Sequence, residues 1–199
     1  MVVLDQVAQS VALIEVGLAA DPPWLSRRRR HAALAVNVDG DLACTVFMHR
    51  YNSGALEQRI HVLTRRDGTW VSAGEDRSNV DEDRLSDPPA ADTLGGLIYV
   101  VATGAVQTNA DRAFPWPARY IHYALLRAAR EINTVTVAHR RIPVPRHGHV
   151  VAVWNTRHAP RLVAHGDHHS TRIAVPSRPE RPPHRKQRWR SPDQPPWWW

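Results

Sequence analysis

Alternation of apolar and polar positions predicts that most of this chain is β-structure. The clearest stretch is residues 132–154, where Val135 and Val137 alternate with Thr134 and Thr136. Successive side chains of a strand point to opposite faces, and β-branched residues suit a pleated, half-buried surface. The pattern therefore predicts a strand with one buried face at the start of this stretch.

Two breaks divide the rest of the same stretch. Pro143 and Pro145 lack the N–H that a central ladder needs, so a strand at this point must lie at a sheet edge. Gly148 then precedes residues 150–154, which are apolar at every position. A run of this kind predicts a strand that is buried on both faces.

Turn residues divide the β region into hairpins. Turns are predicted at Asp39-Gly40, at Asp67-Gly68 and at Gly166-Asp167, because Asp-Gly and Gly-Asp pairs suit two-residue hairpin loops. The first hairpin joins residues 31–38 to residues 41–48, and a tight turn there sets Val36 opposite Ala43. One face of that hairpin is then predicted to hold Leu34, Val36, Val38, Ala43 and Phe47, and the other face is apolar as well.

In the second hairpin, counting outwards from the turn at Asp67-Gly68 predicts which residues lie opposite each other on the two strands. Thr64 is expected opposite Val71 and Val62 opposite Ala73. Arg65 is expected opposite Trp70, where the guanidinium can stack on the indole ring.

A helix is predicted before the hairpins. Apolar residues recur at spacings of three and four, which is the stripe of an amphipathic helix, and the segment ends at Asp21-Pro22-Pro23. Such a helix would cover one face of the sheet. The stripe consists of Leu4, Val7, Val11, Ile14 and Leu18.

Two segments are harder to assign. Residues 75–92 contain seven acidic residues and are predicted to be a loop; a Ca²⁺ site is not favoured there, because the ligand order of an EF-hand is absent. Residues 119–130 combine helix-forming composition with strand-like alternation. A strand is favoured because the neighbouring segments are β.

These elements predict a mainly β protein, an antiparallel β-sandwich of about seven to nine strands built from hairpins. Residues 1–30 form an N-terminal amphipathic helix and an arginine-rich linker, and residues 31–175 form the sandwich domain. Residues 176–199 contain seven prolines and no aliphatic residue, which predicts a disordered basic tail rich in Pro, Arg and Trp.

Charge changes this picture only in part. The net charge is +7, but 25 of the 26 basic residues are arginine, which is typical of GC-rich coding sequence as much as of anion binding. The charge is unevenly distributed, at −3 for residues 1–120 and +10 for residues 121–199. That asymmetry is a weak indication of an interaction surface or tail.

Metal binding and catalysis have few candidates. His165, Asp167, His168 and His169 form the densest group of metal-ligating residue types, which would suit a metal-dependent hydrolase, although a Gly-Asp turn would separate them. No nucleophile elbow, P-loop, dinucleotide fingerprint or paired-cysteine motif is present. Cys44, the only cysteine, lies in an apolar run and is expected in the core. The sequence thus favours a non-enzyme with no cofactor and no metal.

Arginine clusters offer another kind of site. The four consecutive arginines at residues 27–30 can grip phosphates, but a solvated linker is the favoured interpretation. In the tail, arginines and indoles together suit single-stranded nucleic acid or a membrane interface, while biased coding alone is the simplest explanation. The nucleic-acid candidates are Arg185, Lys186, Arg188, Trp189 and Arg190.

The function favoured by these patterns is a non-catalytic binding or regulatory module that acts through a protein contact. The alternative is a nucleic-acid-associated protein that binds non-specifically through its tail. The N-terminus has no basic lead-in and no segment reaches the ~20 apolar residues of a membrane helix, so the expected location is the cytoplasm. The oligomeric state is left open.

Overall fold

A computed structural model describes residues 6–19, 25–80, 88–108, 118–167 and 169–175. Strands make up 57% of these residues and helices 10%, which confirms the mainly β class. The elements are α1 (Gln6–Val16), β1 (His31–Asp39), β2 (Leu42–Arg50), β3 (Leu56–Arg66), β4 (Thr69–Val80), α2 (Ala91–Leu94), β5 (Ile98–Gln107), β6 (Tyr120–Ala128), β7 (Ile132–Val137), β8 (Arg140–Pro143), β9 (His149–Trp154), β10 (Leu162–Gly166) and β11 (Ser170–Ile173).

The strands of the described residues form three sheets, and all of their pairings are antiparallel. Sheet A has the order β1-β2-β3-β4, sheet B the order β5-β6-β9, and sheet C the order β11-β10-β7-β8. The eleven strands exceed the seven to nine predicted. One addition is the short β8, which ends at Pro143 and lies at the edge of sheet C, where a proline does not interrupt a ladder.

Sheet B contributes to two hydrophobic cores, because the side chains of a strand alternate between faces. Tyr123 and Leu125 of β6 pack with sheet A in the first core, whereas Ala124 and Leu126 pack with sheet C in the second. All six residues of β9 are buried, as predicted for a strand covered on both sides. The face-to-face pairing of two sheets that defines a sandwich stays a prediction.

The predicted N-terminal helix is confirmed as α1, which packs on sheet A. Its buried face was predicted wrongly. Ser10 and Leu13 are the buried residues, and Val7, Val11 and Ile14 of the predicted stripe are half-buried. The reason is that Thr45 and His61 lie on the sheet beneath the helix, and both form hydrogen bonds with Ser10. Leu4 lies outside the described residues.

Hairpin registers agree with the sequence near the turns and depart from it at bulges. Thr64 pairs with Val71 and Arg65 with Trp70, and the Arg65 guanidinium carbon lies 5.7 Å from the centre of the Trp70 ring system. The pairing of Val62 with Ala73 was wrong. A β-bulge at this point sets Val62 opposite Gly74.

In the first hairpin the turn lies one residue later than predicted. Asp39 pairs with Leu42, so Gly40 takes the first central position of the turn with a φ of 58°, which glycine adopts without strain. Val36 therefore faces Thr45 and not Ala43. A bulge between Ala33 and Ala35 also moves Leu34 into the first core, away from the face predicted for it.

After the second hairpin, some predictions are confirmed and others are wrong. The predicted loop at residues 75–92 is wrong over its first part, because β4 continues to Val80 as an exposed partner of β3. Ladder hydrogen bonds come from the backbone, so polar side chains do not end a strand. The preference for a strand over residues 119–130 is confirmed by β6. The third hairpin is present, with its turn one residue later than expected, since His165 pairs with Ser170.

Two predicted segments are not tested by the structure. The tail, residues 176–199, lies outside the described residues, as does the middle of the acidic segment, residues 81–87. Among the residues that are described, no helix is both long enough and apolar enough to cross a bilayer.

Candidate functional site

Ionisable side chains are concentrated on the face of sheet A that points away from the first core. The strand register brings His31 next to His49, and His49 next to Glu57 on the following strand. Arg59 and His61 continue the same face along β3, because alternate residues of a strand share one side. The face is therefore mixed, because these ionisable residues share it with the buried Ala43, Phe47 and Leu63.

His31 and His49 form a close pair at the ends of β1 and β2. Their ring centres are 4.2 Å apart, and Nδ1 of His49 lies 3.0 Å from Nε2 of His31. Burial lowers the pKa of both rings, and the positive charge of Arg59 lowers it further. At this distance two protonated rings would repel each other, so the pair is stable when at least one ring is neutral.

Tyr51 follows β2 and is fixed by three neighbours. Its ring is edge-on to His49, with ring centres 4.5 Å apart. Its hydroxyl donates to Oε2 of Glu57 at 2.8 Å and accepts from Nη2 of Arg59 at 3.3 Å. Tyr51 is nevertheless 39% exposed, so a fixed aromatic ring is accessible at this corner.

Glu57 and Arg59 form an ion pair behind Tyr51. Burial alone would raise the pKa of Glu57, but the hydrogen bonds from Arg59 and Tyr51 outweigh it and lower that pKa. The carboxylate is therefore ionised at neutral pH and already paired with one arginine.

The four consecutive arginines are held in an ordered turn. Oγ of Ser26 accepts from the backbone N–H groups of Arg28 at 3.3 Å and Arg29 at 3.0 Å. The Ser26 N–H donates to the carbonyl of Arg29 at 2.8 Å, and the carbonyl of Arg30 accepts from Arg50 at 2.8 Å. The segment is exposed, as expected of a solvated linker, but these bonds attach it to the end of β2.

We call Arg27, Arg28, Arg29, Arg30 and Arg50 the basic corner. Among the described residues, none of the five forms an ion pair with a carboxylate. Arg30 directly precedes His31 of the histidine pair, and its carbonyl accepts from the N–H of Arg50, the neighbour of Tyr51, so the end of the turn lies beside the pair and the tyrosine. Positive charge, an accessible ring and an ordered backbone therefore meet at one corner of sheet A.

A second polar cluster lies beneath α1 and has a structural explanation. Thr45 donates to Oγ of Ser10 at 2.9 Å, and Oγ of Ser10 lies 2.8 Å from Nδ1 of His61. Burial lowers the pKa of His61, against the opposing effect of Glu75. A serine beside a histidine is also the arrangement of a hydrolase nucleophile and its base. Here Ser10 is fully buried, and the adjacent pocket of about 50 Å³ has room for only a few waters. The cluster attaches the helix to the sheet.

A third cluster, Arg127, His147 and His149, is buried where β6 ends and β9 begins. Nδ1 of His147 accepts from the backbone N–H of His149 at 3.1 Å, and Arg127 donates to the carbonyl of His147. Burial, assisted by the charge of Arg127, lowers the pKa of His147 to about 4. His147 is therefore neutral in the folded protein near neutral pH.

This lowered pKa predicts a loss of stability in mild acid. The unfolded chain binds a proton at His147 near pH 6.5 and the folded chain only near pH 4, so stability is complete above about pH 6.5 and declines as the pH falls towards 4. We expect His147 to reduce the free energy of unfolding by about 2 kcal/mol between about pH 7.5 and pH 5. Urea unfolding at the two pH values measures this loss in the wild type and in His147→Asn, which keeps an acceptor near the position of Nδ1. The variant should lack the part of the pH dependence that His147 causes.

The control for this prediction is His158→Asn at an exposed turn. This variant should keep the full pH dependence of the wild type. A His147→Asn protein with an unchanged pH dependence would contradict the prediction.

Of the four predicted metal ligands, the three that the structure describes are not arranged as a metal site. Nε2 of His165 lies 2.9 Å from the hydroxyl of Thr136, and Asp167 accepts from the Asn133 amide at 3.0 Å. His169 is exposed, and His168 lies outside the described residues. Within the described part of the chain, no three His, Cys, Asp or Glu side chains are arranged to hold a metal ion.

Other sequence predictions have different outcomes. Cys44 is fully buried, and burial raises the pKa of its thiol, which confirms it as a core residue. The tail candidates Arg185, Lys186, Arg188, Trp189 and Arg190 lie outside the described residues. The sequence missed the grouping of His31, His49 and Tyr51. Its only signal was the run of His49, Arg50 and Tyr51 directly after the predicted first hairpin.

Comparison with known proteins identifies no relative of this chain. No family model, no curated protein and no solved structure matches the chain. The basic corner is therefore assessed on its own chemistry.

Proposed function

We propose that this chain is a non-catalytic binding module that holds an anionic partner at the basic corner. One observation carries the proposal: four consecutive arginines lie on an ordered turn, Arg50 at the end of β2 is bonded to the last of them through its backbone, and no carboxylate is paired to any of the five among the described residues. Guanidinium groups match the geometry of phosphate and carboxylate oxygens. An ordered turn also reduces the entropy lost when a partner binds.

The basic corner favours a binding role over the catalytic alternative. The buried Ser10 offers no accessible nucleophile, and a hydrolase that uses His165, His168 and His169 gains no support from the separate contacts of His165. A protein contact, the function favoured by the sequence, stays a prediction, and an acidic protein surface is one partner that this corner fits. The cytoplasmic location also stays a prediction.

A charge-removal experiment tests the proposal. The probe is an abasic single-stranded oligonucleotide of about 20 nucleotides, longer than the ~4–16 nucleotides that a single-strand-binding fold covers. We expect the full-length triple variant Arg27→Ser, Arg28→Ser, Arg29→Ser to bind it at least about 10-fold more weakly at low salt. Its slope of log K against log salt should be smaller by about 2, at ~0.7 for each lost phosphate contact. Fluorescence titration at several salt concentrations measures both quantities.

A matched variant separates position from net charge. Arg66, Arg141 and Arg172 are exposed arginines on other strands, and replacing all three with serine removes the same charge. This control should keep most of the affinity of the wild type. Equal losses in the two triple variants would show that the chain binds anions only through its overall charge, which contradicts the proposal. The tail is the same in all three proteins.

A further inference from the structure

We propose that the anionic partner is single-stranded nucleic acid, and that a base stacks on Tyr51 while the basic corner holds the adjacent phosphates. This inference rests on the proposed function and identifies the partner of the same site. Proteins that bind single strands combine a positively charged surface with aromatic side chains on which bases stack. Both components are present at this end of sheet A.

The first step in the argument is the position of Tyr51. It is the residue after Arg50, whose backbone N–H is bonded to the arginine turn through the carbonyl of Arg30 at 2.8 Å. The ring and the basic corner are thus joined by one short stretch of backbone. A nucleotide whose phosphate contacts the corner has its base within reach of the tyrosine.

The second step is that Tyr51 is held in place before any ligand arrives. Its backbone N–H donates to Ala55 at 2.8 Å and its carbonyl accepts from Gly54 at 3.0 Å, which closes a tight turn. Its hydroxyl is bonded to Glu57 and Arg59, and its ring contacts His49 edge-on. A ring fixed in this way loses little conformational entropy when a base stacks on it.

The third step is the choice between anionic partners. An acidic protein would use the charge of the corner but has no need of an accessible aromatic ring beside it. In a duplex, the faces of the bases are covered by their neighbours and are not free to stack. A single strand uses both features, because its bases are free while its phosphates remain charged. Stacking on a ring recognises any base, so the binding is expected to be independent of sequence.

The test compares two probes of equal length and charge. One is oligo-dT of about 20 nucleotides and the other is the abasic oligonucleotide used above. We expect the full-length wild type to bind oligo-dT about 5-fold or more tightly than the abasic strand, which is the ratio that one stacked base contributes. Tyr51→Leu should lower the affinity for oligo-dT by that ratio and leave the affinity for the abasic strand unchanged.

Two controls complete the experiment. Tyr51→Phe keeps the ring but removes the hydroxyl, so it should retain the preference for oligo-dT. The triple variant Arg27→Ser, Arg28→Ser, Arg29→Ser should lose affinity for both probes in the same proportion. Circular dichroism of each protein verifies that the β-structure is intact.

The outcomes distinguish this inference from the proposed function. If Tyr51→Leu keeps the preference for oligo-dT, the bases are contacted elsewhere, the tail included, and the inference is wrong. Equal or tighter binding of a duplex with the same number of phosphates would also overturn it. Neither result affects the proposed function, which fails only if the arginine variant binds the abasic strand as well as its matched control does.

Discussion

Alanine at position 148 is expected to destabilise the fold by about 3 kcal/mol or more. Gly148 has a φ of 76°, which disfavours a side chain by about 1–2 kcal/mol. A Cβ at this position would lie 2.5 Å from the carbonyl oxygen of Ala128 and 2.9 Å from Cβ of Pro88. The Ala128 N–H donates to the carbonyl of Gly148 at 2.8 Å, so the two backbone segments cannot separate without losing that bond. Overpacking of this kind costs about 1–3 kcal/mol more.

Urea unfolding of Gly148→Ala beside Gly68→Ala isolates the steric part of this effect. Gly68 has a similar φ of 79°, but a Cβ there would meet no heavy atom within 4 Å. Gly68→Ala should therefore cost only the conformational part, about 1–2 kcal/mol. If the two variants lose the same free energy of unfolding, the end of β6 and the loop before β9 leave room for a methyl group, and the prediction is wrong.

The second large effect is expected at Arg140, which connects all three sheets. From β8 its Nη1 donates to Oδ1 of Asn37 at 3.2 Å and to the carbonyl of Val38 at 2.6 Å, both on β1. Its Nη2 donates to the carbonyl of Val153 on β9 at 3.2 Å and lies 3.1 Å from the Asp39 carboxylate. Arg140→Ala should cost about 2–4 kcal/mol, because several acceptors at the junction lose a charged donor together.

Denaturant unfolding again measures this change, and the neighbouring residue is the control. Arg141 is exposed on the same strand, so Arg141→Ala should stay within about 0.5 kcal/mol of the wild type. Arg140→Lys keeps the charge but not the planar fork, so its stability should lie between the other two variants. A loss at Arg140 no larger than at Arg141 would show that the junction does not depend on this guanidinium.

Sequence patterns predicted the fold well where local chemistry decides it. Asp67-Gly68 set the register of its hairpin near the turn, and the uninterrupted apolar run at residues 150–154 correctly indicated a strand buried on both faces. The bulges near Ala33 and Ala73 could not be predicted, because they arise from how strands curve around a core. The end of β4 was missed for a different reason: a strand at a sheet edge with polar residues on both faces has the composition of a loop.

The candidate site was less accessible from sequence. The run of arginines was recognised, but its attachment to β2 depends on a backbone bond from Arg50 to Arg30 that no pattern of residue types indicates. His31 and His49 are 18 positions apart, so their contact follows only from the register of the hairpin. Sequence alone identified the charge and not the ring beside it.

The two-sided role of sheet B has a consequence for the synthesis of this chain. Sheet A is complete once Val80 has been made, because all of its pairings join consecutive strands. Its inner face packs against β6 and β9, and β9 begins only at His149. At about 5–20 residues per second, the ~70 intervening residues take roughly 4–14 s to translate. During that interval the nascent chain presents an uncovered apolar surface to the cell, so its yield in vivo depends on how well holdase chaperones protect that surface at the ribosome.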